Sequence, residues 1–218
     1  MEIEGKTWWR RIGSVFEGTS ENGTKVAVKR LDLDVLQGRE EFLAEVKTIG
    51  SVHHFNLVRL IGYCSERSNW LLVYEYMCNG SLDKWIFNQN QAQTLNWETR
   101  RQIIAGIAKG LEYLHMHCNS NMIHFDMKPQ NILLDKEFNA KMSAFGLAKL
   151  IEMDQSHVST AVKGTPGYIA PELIHKGNVS VKVDVYSFGI VILEIICGKK
   201  NTDLSQGEYL IDIVKRKV

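Results

Sequence analysis

The sequence has few of the residues that are typical of secreted disulfide-bonded, metal-binding or nucleic-acid-binding proteins. Its 218 residues include only four cysteines, and none of them stands in a close pair of the zinc or redox kind. We therefore expect free, mostly buried thiols and a reducing compartment. Lysine and arginine total 26 against 25 for aspartate and glutamate, so the charge balance gives no reason to expect nucleic acid as a partner. The cysteines are Cys64, Cys78, Cys118 and Cys197.

Long apolar runs are also missing. The longest one, Gly189–Cys197, has nine residues and contains Glu194, whereas a helix needs about 20 apolar residues to span a bilayer. The charged N-terminal segment 1–12 lacks the apolar centre of a secretory signal. We therefore expect neither a membrane-spanning segment nor a signal peptide in this chain.

The first third of the sequence predicts a β-sheet with one helix. Apolar and polar residues alternate on both sides of the turn-forming run Glu21–Gly23, which favours a hairpin. Phe42, Val46 and Ile49 recur at helical spacing within the segment 40–49, so this segment is expected to be an amphipathic helix on the sheet. The predicted strands are Gly13–Gly18, Thr24–Leu31, Leu57–Tyr63 and Trp70–Tyr76.

Beyond Asn79 and Gly80 the pattern becomes mainly helical, so we place a boundary between two lobes at residues 77–80. One long helix is marked by apolar residues from Ile103 to Leu114. A second helix, which should be central and buried, is predicted by the apolar run that ends before Gly198. Glycine is suited to a helix C-terminus. The predicted parts are a partial upper lobe, 1–78, and a partial lower lobe, 79–218.

Two residues of the upper lobe suggest a phosphate site. Lys29 ends an apolar strand, and the following helix carries Glu45 on the face that should meet the sheet. Burying a lysine is costly unless a carboxylate pairs with it, and such a pair can hold one cation against phosphate oxygens. The alternative is a surface lysine and a solvated glutamate.

The run His124–Asn131 places three side chains suited to phosphoryl transfer on one short loop. Asp126 can accept a hydroxyl proton, and Lys128 can neutralise a transferred phosphoryl group. Asn131 can offer an amide oxygen to Mg²⁺, which prefers oxygen ligands. With the apolar strand Ile132–Leu134 behind it, this spacing is specific, and a polar surface turn is the weaker alternative.

With these motifs in this order, the sequence resembles eukaryotic protein kinases, in particular plant receptor-like serine/threonine kinases of the G-type lectin S-receptor group. The resemblance extends from Gly13 to about Asp203. It implies an α+β, bilobal fold with a small β-rich upper lobe that has one helix and a mostly helical lower lobe. It also implies ATP and Mg²⁺ as cofactors, a protein substrate or partner kinase, no nucleic acid, and a place on the cytoplasmic side of the plasma membrane in which relatives are anchored.

The resemblance also implies roles for individual residues. Asp126 would be the catalytic base, Lys128 would act beside it, and Asn131 would hold Mg²⁺. Asp184 would brace the catalytic loop. The nucleotide would be bound by Gly13, Val15, Ala27, Lys29, Glu45, Glu75, Met77 and Leu133, with Glu75 and Met77 acting through the hinge backbone.

Lys128 and the run Gly164–Tyr168 resemble the serine/threonine branch of the family. Phe125 stands where many kinases carry an arginine, so the arginine clamp on a phosphorylated activation loop is not expected to form. The loop still offers candidate phosphorylation sites, although a polar mobile loop would have the same composition. These candidates are Ser156, Ser159, Thr160 and Thr165.

Four departures from the family pattern predict impaired activity. Ala144 replaces the metal-binding aspartate of the Asp-Phe-Gly triplet, and Trp8 and Arg10 occupy the first two positions of the glycine-rich loop. The first strand of the upper sheet is expected to be missing. Later helices of the lower lobe are expected to be missing too, which would leave one apolar face of the central helix uncovered. An active kinase, a non-catalytic module that regulates a related kinase, and a decayed copy all remain open.

Overall fold

The computed structural model describes residues 2–10, 13–31, 36–50, 52–66, 69–88, 95–118, 121–151, 158–159, 162–176, 178–202 and 209–217. A five-stranded antiparallel sheet with one long helix occupies the first part, and short strands and helices occupy the second, which confirms the predicted α+β class. The sheet order is β1-β2-β3-β5-β4. Its elements are β1 (Glu2–Arg10), β2 (Gly13–Thr19), β3 (Lys25–Leu31), α1 (Leu36–Ile49), β4 (Leu60–Glu66) and β5 (Asn69–Glu75).

Strand β1 corrects the expectation that the first strand of the sheet is missing. It pairs antiparallel with β2, with Trp8 opposite Val15 and Arg10 opposite Gly13, and its register shifts between Glu4 and Trp8. Pairing between strands uses backbone N–H and C=O groups, which every residue except proline provides. An unusual sequence therefore does not prevent this segment from joining the edge of the sheet.

Helix α1 packs on the sheet through Phe42, as its spacing predicted. The Phe42 ring is 2% exposed and lies in a cluster with Leu31 and Leu72. It also meets the Trp70 ring edge-on, with 4.7 Å between the ring centroids. These contacts fix the distance of the helix from β3 and β5, and thereby the place where Glu45 meets the sheet.

The strand predicted from Leu57 to Tyr63 begins only at Leu60. Leu57 and Val58 are buried in a loop instead, where the Val58 N–H donates to the Met142 carbonyl at 2.9 Å. Their apolar character therefore reflects burial against the second part of the chain. A short apolar run gives the same signal in either case.

The second part is built around two 16-residue helices. The first of them, α3 (Trp97–Glu112), begins after Asn96, whose side chain accepts from the Thr99 N–H at 2.8 Å. It is followed by a π-helical turn, Tyr113–His117. Buried Ile103 and Ile107 confirm the apolar face that the sequence predicted. The elements of this part are α2 (Asp83–Ile86), α3 (Trp97–Glu112), β6 (Asn121–Ile123), β7 (Ile132–Leu134), β8 (Ala140–Met142), β9 (Lys149–Ile151), β10 (Val158–Ser159), α4 (Pro171–Lys176), β11 (Asn178–Val179), α5 (Lys182–Cys197) and α6 (Leu210–Lys215).

Helix α5 is the predicted central helix. It ends at Gly198, which has a left-handed backbone (φ 65°) and donates its N–H to the Glu194 carbonyl at 2.8 Å. This confirms the predicted glycine cap. One side of the helix is buried, whereas Val185 and Ile196 are each about half exposed.

The cysteines are free, as predicted, but the expectation that they are mostly buried is wrong. Cys78 and Cys197 are exposed, and Cys64 and Cys118 are half-buried. Cys78, Cys118 and Cys197 lie at or just beyond the ends of their elements, where the small apolar side chain does not have to enter the core. Within the ranges that the structure describes, no helix is both long and apolar enough to cross a membrane.

Candidate active site

Lys29 and Glu45 meet on the inner face of the sheet. The Lys29 Nζ forms an ion pair with Oε1 of Glu45, whose side chain is 1% exposed. The Tyr74 hydroxyl donates to the other carboxylate oxygen of Glu45. This burial excludes the alternative of a solvated surface pair. The role of Tyr74 was missed from the sequence, although this residue lies within the predicted strand beside the hinge.

The loop that follows β6 holds the Asp126 carboxylate with three donors. Asn131 Nδ2 donates to Oδ2 at 2.7 Å, and Lys128 Nζ lies 2.9 Å from the same oxygen. The Thr165 hydroxyl donates to Oδ1 at 2.5 Å. A turn of 3₁₀ helix, Pro129–Asn131, brings Asn131 back to Asp126. The predicted base, lysine and amide therefore stand together, as their spacing indicated.

Thr165 occupies an unexpected place for a candidate phosphorylation site. Its hydroxyl donates to Asp126 and also lies 2.8 Å from Lys128 Nζ, which donates to it. The sequence pattern indicated the surrounding motif but not this contact. Phosphorylation of Thr165 stays a prediction, and so does that of Ser159, which lies in β10. Ser156 and Thr160 lie outside the described residues.

Asp184 of α5 fixes the backbone of the catalytic loop. Its carboxylate accepts the N–H of His124 at 2.8 Å and the N–H of Phe125 at 2.9 Å. The His115 ring lies 2.9 Å from the same carboxylate, which is fully buried. His124 in turn packs edge-on against Phe145, with ring centroids 4.8 Å apart. The loop that carries Asp126 is thus braced from α5, as predicted for Asp184.

Phe125 replaces the arginine of many kinases with a buried ring. Its backbone is left-handed (φ 64°), a conformation that a non-glycine residue adopts only when its surroundings enforce it. The side chain is 6% exposed and belongs to a cluster with Leu173 of α4 and Val183 of α5. Apolar packing therefore links the catalytic loop to the segment that follows the candidate phosphorylation sites.

Two residues predicted to contact the nucleotide, Val15 and Ala27, lie beside Lys29 on the sheet. Strand pairing places Val15 opposite Lys29, while Ala27 lies two residues earlier on the same face. Leu133 lies in β7, and its bridge partner Ser81 follows the hinge. Their positions are compatible with an adenine site, although contact with a nucleotide stays a prediction.

The hinge backbone is partly engaged in the protein itself. The Glu75 N–H donates to the Arg59 carbonyl at 3.1 Å, and the Met77 carbonyl accepts from the Gly80 N–H at 3.0 Å. The Glu75 side chain binds Lys141 Nζ at 2.9 Å. Binding of adenine through the backbone of Glu75 and Met77 stays a prediction.

The glycine-rich loop region differs from an open phosphate loop. Gly13 has φ 148°, and a Cβ at this position would overlap the carbonyl oxygen of Arg30. Glycine is therefore required there by the close approach of β3, whether or not a phosphate binds. Trp8 and Arg10, at the first two glycine positions, belong to β1 and pair with β2.

The oxygen ligands of this site do not fit the usual magnesium arrangement. Ala144 has left-handed backbone angles (φ 66°, ψ 63°) and offers only a methyl group. Mg²⁺ in phosphotransfer sites is normally held through one or two carboxylates together with the substrate phosphates. The described part of the chain contains no group of three or more His, Cys, Asp or Glu side chains that could hold a metal ion. Asn131 is the only predicted ligand still present.

A buried carboxyl group, Glu194 of α5, supports the Gly164–Tyr168 segment, which contains Thr165. It accepts from the Tyr168 hydroxyl at 2.8 Å and from the Asn201 N–H at 2.7 Å. Burial raises the pKa of Glu194 from 4.5 to about 7, although these hydrogen bonds and Lys200 oppose the rise. Asp83 adds to it. In the sequence, Glu194 stands out only as a charge within an apolar run.

We expect replacement of Glu194 by glutamine to remove a pH dependence of stability. Because the folded state raises this pKa, the wild-type chain is most stable below the ordinary value and loses stability as the pH rises through about 7. Between about pH 5 and about pH 8 the loss should be about 2.5 kcal/mol. Urea unfolding at several pH values measures it. Equal pH slopes for the wild type and Glu194→Gln would contradict the prediction.

Comparison with known proteins agrees with this geometry. The protein kinase domain family matches residues 11–217, so the chain belongs to the protein kinase family. A G-type lectin S-receptor-like serine/threonine-protein kinase of Arabidopsis thaliana is 54% identical over 195 residues, which are 89% of this chain and 22% of that protein. A second one, SD2-5, is 53% identical over 196 residues, 89% of this chain and 24% of that protein.

The Rust resistance kinase Lr10 of Triticum aestivum is 50% identical over 217 residues, 95% of this chain and 34% of that protein. These matches confirm the resemblance to receptor-like serine/threonine kinases. The chain spans between about a fifth and a third of the length of these relatives. The similarity therefore concerns one domain of them.

Proposed function

We propose that this chain binds ATP and transfers its terminal phosphoryl group to serine and threonine hydroxyls of proteins, at a rate lowered by Ala144. One observation carries the proposal: the Asp126 carboxylate is held in place and already receives a side-chain hydroxyl, that of Thr165, at 2.5 Å. A substrate hydroxyl needs the same position to lose its proton. Thr165 thus indicates that an aliphatic hydroxyl fits against this carboxylate.

The cations of the site have complementary tasks. Lys29, oriented by Glu45, would contact the phosphates of the nucleotide. Lys128 Nζ lies beside Asp126 and would neutralise charge on the phosphoryl group during transfer. Phosphoryl transfer depends mainly on such positioning and electrostatics, so losing one anionic ligand slows the reaction without removing the base.

In this function, residues 1–78 would form the lobe above the nucleotide, and residues 79–218 would form the lobe below it. We place the domain on the cytoplasmic side of a membrane because the matched relatives are receptor-like kinases by name. A protein substrate or a partner kinase would bind near the segment that carries Thr165.

Transfer of labelled phosphate from ATP to a generic basic protein tests this function. We expect a slow transfer by the wild-type chain and a rate lower by at least about 10²-fold for Asp126→Asn, which keeps the shape of the side chain but removes the base. Both proteins must first show the same unfolding midpoint. Equal rates in the two proteins would overturn the proposed catalysis.

A non-catalytic role is a second candidate, favoured by the methyl group at Ala144. In this case the chain would bind a related kinase and regulate it. Wild-type transfer at the level of Asp126→Asn, together with a changed activity of an added receptor-like kinase domain, would favour this role.

A further inference from the structure

We propose that this domain binds its nucleotide without a divalent cation. The inference rests on the proposed nucleotide binding, and it concerns how the charge of the phosphates is balanced. In protein kinases of the ordinary type, Mg²⁺ is held between the nucleotide phosphates and a metal-binding aspartate, and it neutralises the charge of both. The described residues of this site have a different balance.

Two lysine–carboxylate pairs of the site are electrically balanced. Lys29 is paired with Glu45, and Lys128 with Asp126. A third carboxylate at position 144 would leave the site with one excess negative charge, and a divalent cation would be needed to offset it. With Ala144 this excess is gone, so a metal-free nucleotide meets two lysines and no unpaired carboxylate of this set.

The carboxylate of Asp126 is occupied on both oxygens. Thr165 donates to Oδ1, while Asn131 donates to Oδ2. Lys128 lies within 3.0 Å of each oxygen. Recruiting this carboxylate to a metal would break contacts that hold the catalytic loop. The amide of Asn131 is uncharged and cannot by itself compensate for the cost of removing water from Mg²⁺.

One more carboxylate approaches the turn that follows Ala144. Glu41 of α1 lies against Gly146, where an added Cβ would be 3.2 Å from Glu41 Oε2. Glu41 lies one helical turn before Glu45, on the same side of α1. If a metal did bind, this side chain would be the substitute ligand, so the experiment must include it.

Binding of a fluorescent ATP analogue to the full chain, measured by polarisation in excess EDTA and in excess Mg²⁺, tests the inference. For the wild type we expect dissociation constants that agree within about threefold, since no carboxylate of the site requires the cation. Ala144→Asp should bind at least about tenfold more tightly in Mg²⁺ than in EDTA. Ala144→Asn, which has the same shape without charge, should behave like the wild type.

The outcomes separate the inference from the proposed function. Wild-type binding that appears only with Mg²⁺ overturns the inference and leaves nucleotide binding intact. If that dependence vanishes in Glu41→Gln, Glu41 is the replacement ligand, and the inference is equally overturned. Wild-type binding in neither buffer, with binding by Ala144→Asp, would overturn the proposed nucleotide binding itself.

Discussion

Replacing Ala144 with aspartate should raise the rate of magnesium-dependent phosphoryl transfer by at least about 10²-fold. The substitution restores a carboxylate one residue after Ser143, whose N–H donates to the Asn131 carbonyl, so that Mg²⁺ gains an anionic ligand in addition to the amide. Steady-state transfer of labelled phosphate to a basic protein, with ATP and Mg²⁺ in excess, measures the gain. The expected gain is large because the other groups of the site are already in place.

The backbone at position 144 makes this substitution favourable for folding as well. Ala144 has a left-handed conformation (φ 66°, ψ 63°), which costs alanine about 1 kcal/mol or more. Aspartate and asparagine tolerate this region better, because their short polar side chains bond locally. Ala144→Asn is therefore the matched control, since it relieves the same strain without adding charge. Equal rates in the two variants would show that backbone relief, and not the carboxylate, causes the gain.

Replacing Asp184 with asparagine should lower the free energy of unfolding by about 3 kcal/mol. The buried carboxylate accepts the N–H groups of His124 and Phe125 and also contacts His115. An asparagine keeps one oxygen acceptor and turns an NH₂ group toward a donor, which leaves buried polar groups without partners. Urea unfolding at constant pH measures the loss, and limited proteolysis replaces it if the variant is only partly folded.

Asp212→Asn is the control for charge removal, because Asp212 is exposed in the first turn of α6. Its effect should stay within about 1 kcal/mol, as expected for a surface charge near a helix start. Similar losses in both variants would mean that the Asp184 contacts contribute little. A selective loss in Asp184→Asn would show that α5 braces the catalytic loop.

Sequence patterns predicted the parts of the site whose residues lie close together in the chain or follow a strong periodicity. Asp126, Lys128 and Asn131 share one loop, so their spacing fixes their proximity. Lys29 and Glu45 lie on consecutive elements whose apolar faces must meet. The central helix and its Gly198 cap were also predicted, because burial and a left-handed glycine leave clear signals.

Contacts between distant segments were beyond reach of the same reasoning. Thr165 lies 39 residues from Asp126, and no periodicity links a loop threonine to a carboxylate so far away. Strand β1 was missed because backbone pairing does not depend on a particular sequence. The exposure of Cys78 depends on where the chain turns at the hinge, which composition alone does not determine.

The contact that Phe125 makes between the loop His124–Asn131 and α4 is entirely apolar. Such a contact has no ionisable partner, so neither a phosphatase nor added salt loosens it. It weakens on cooling instead, because apolar burial loses driving force at low temperature. A phosphate added to the loop before α4 therefore finds no cationic partner in residue 125.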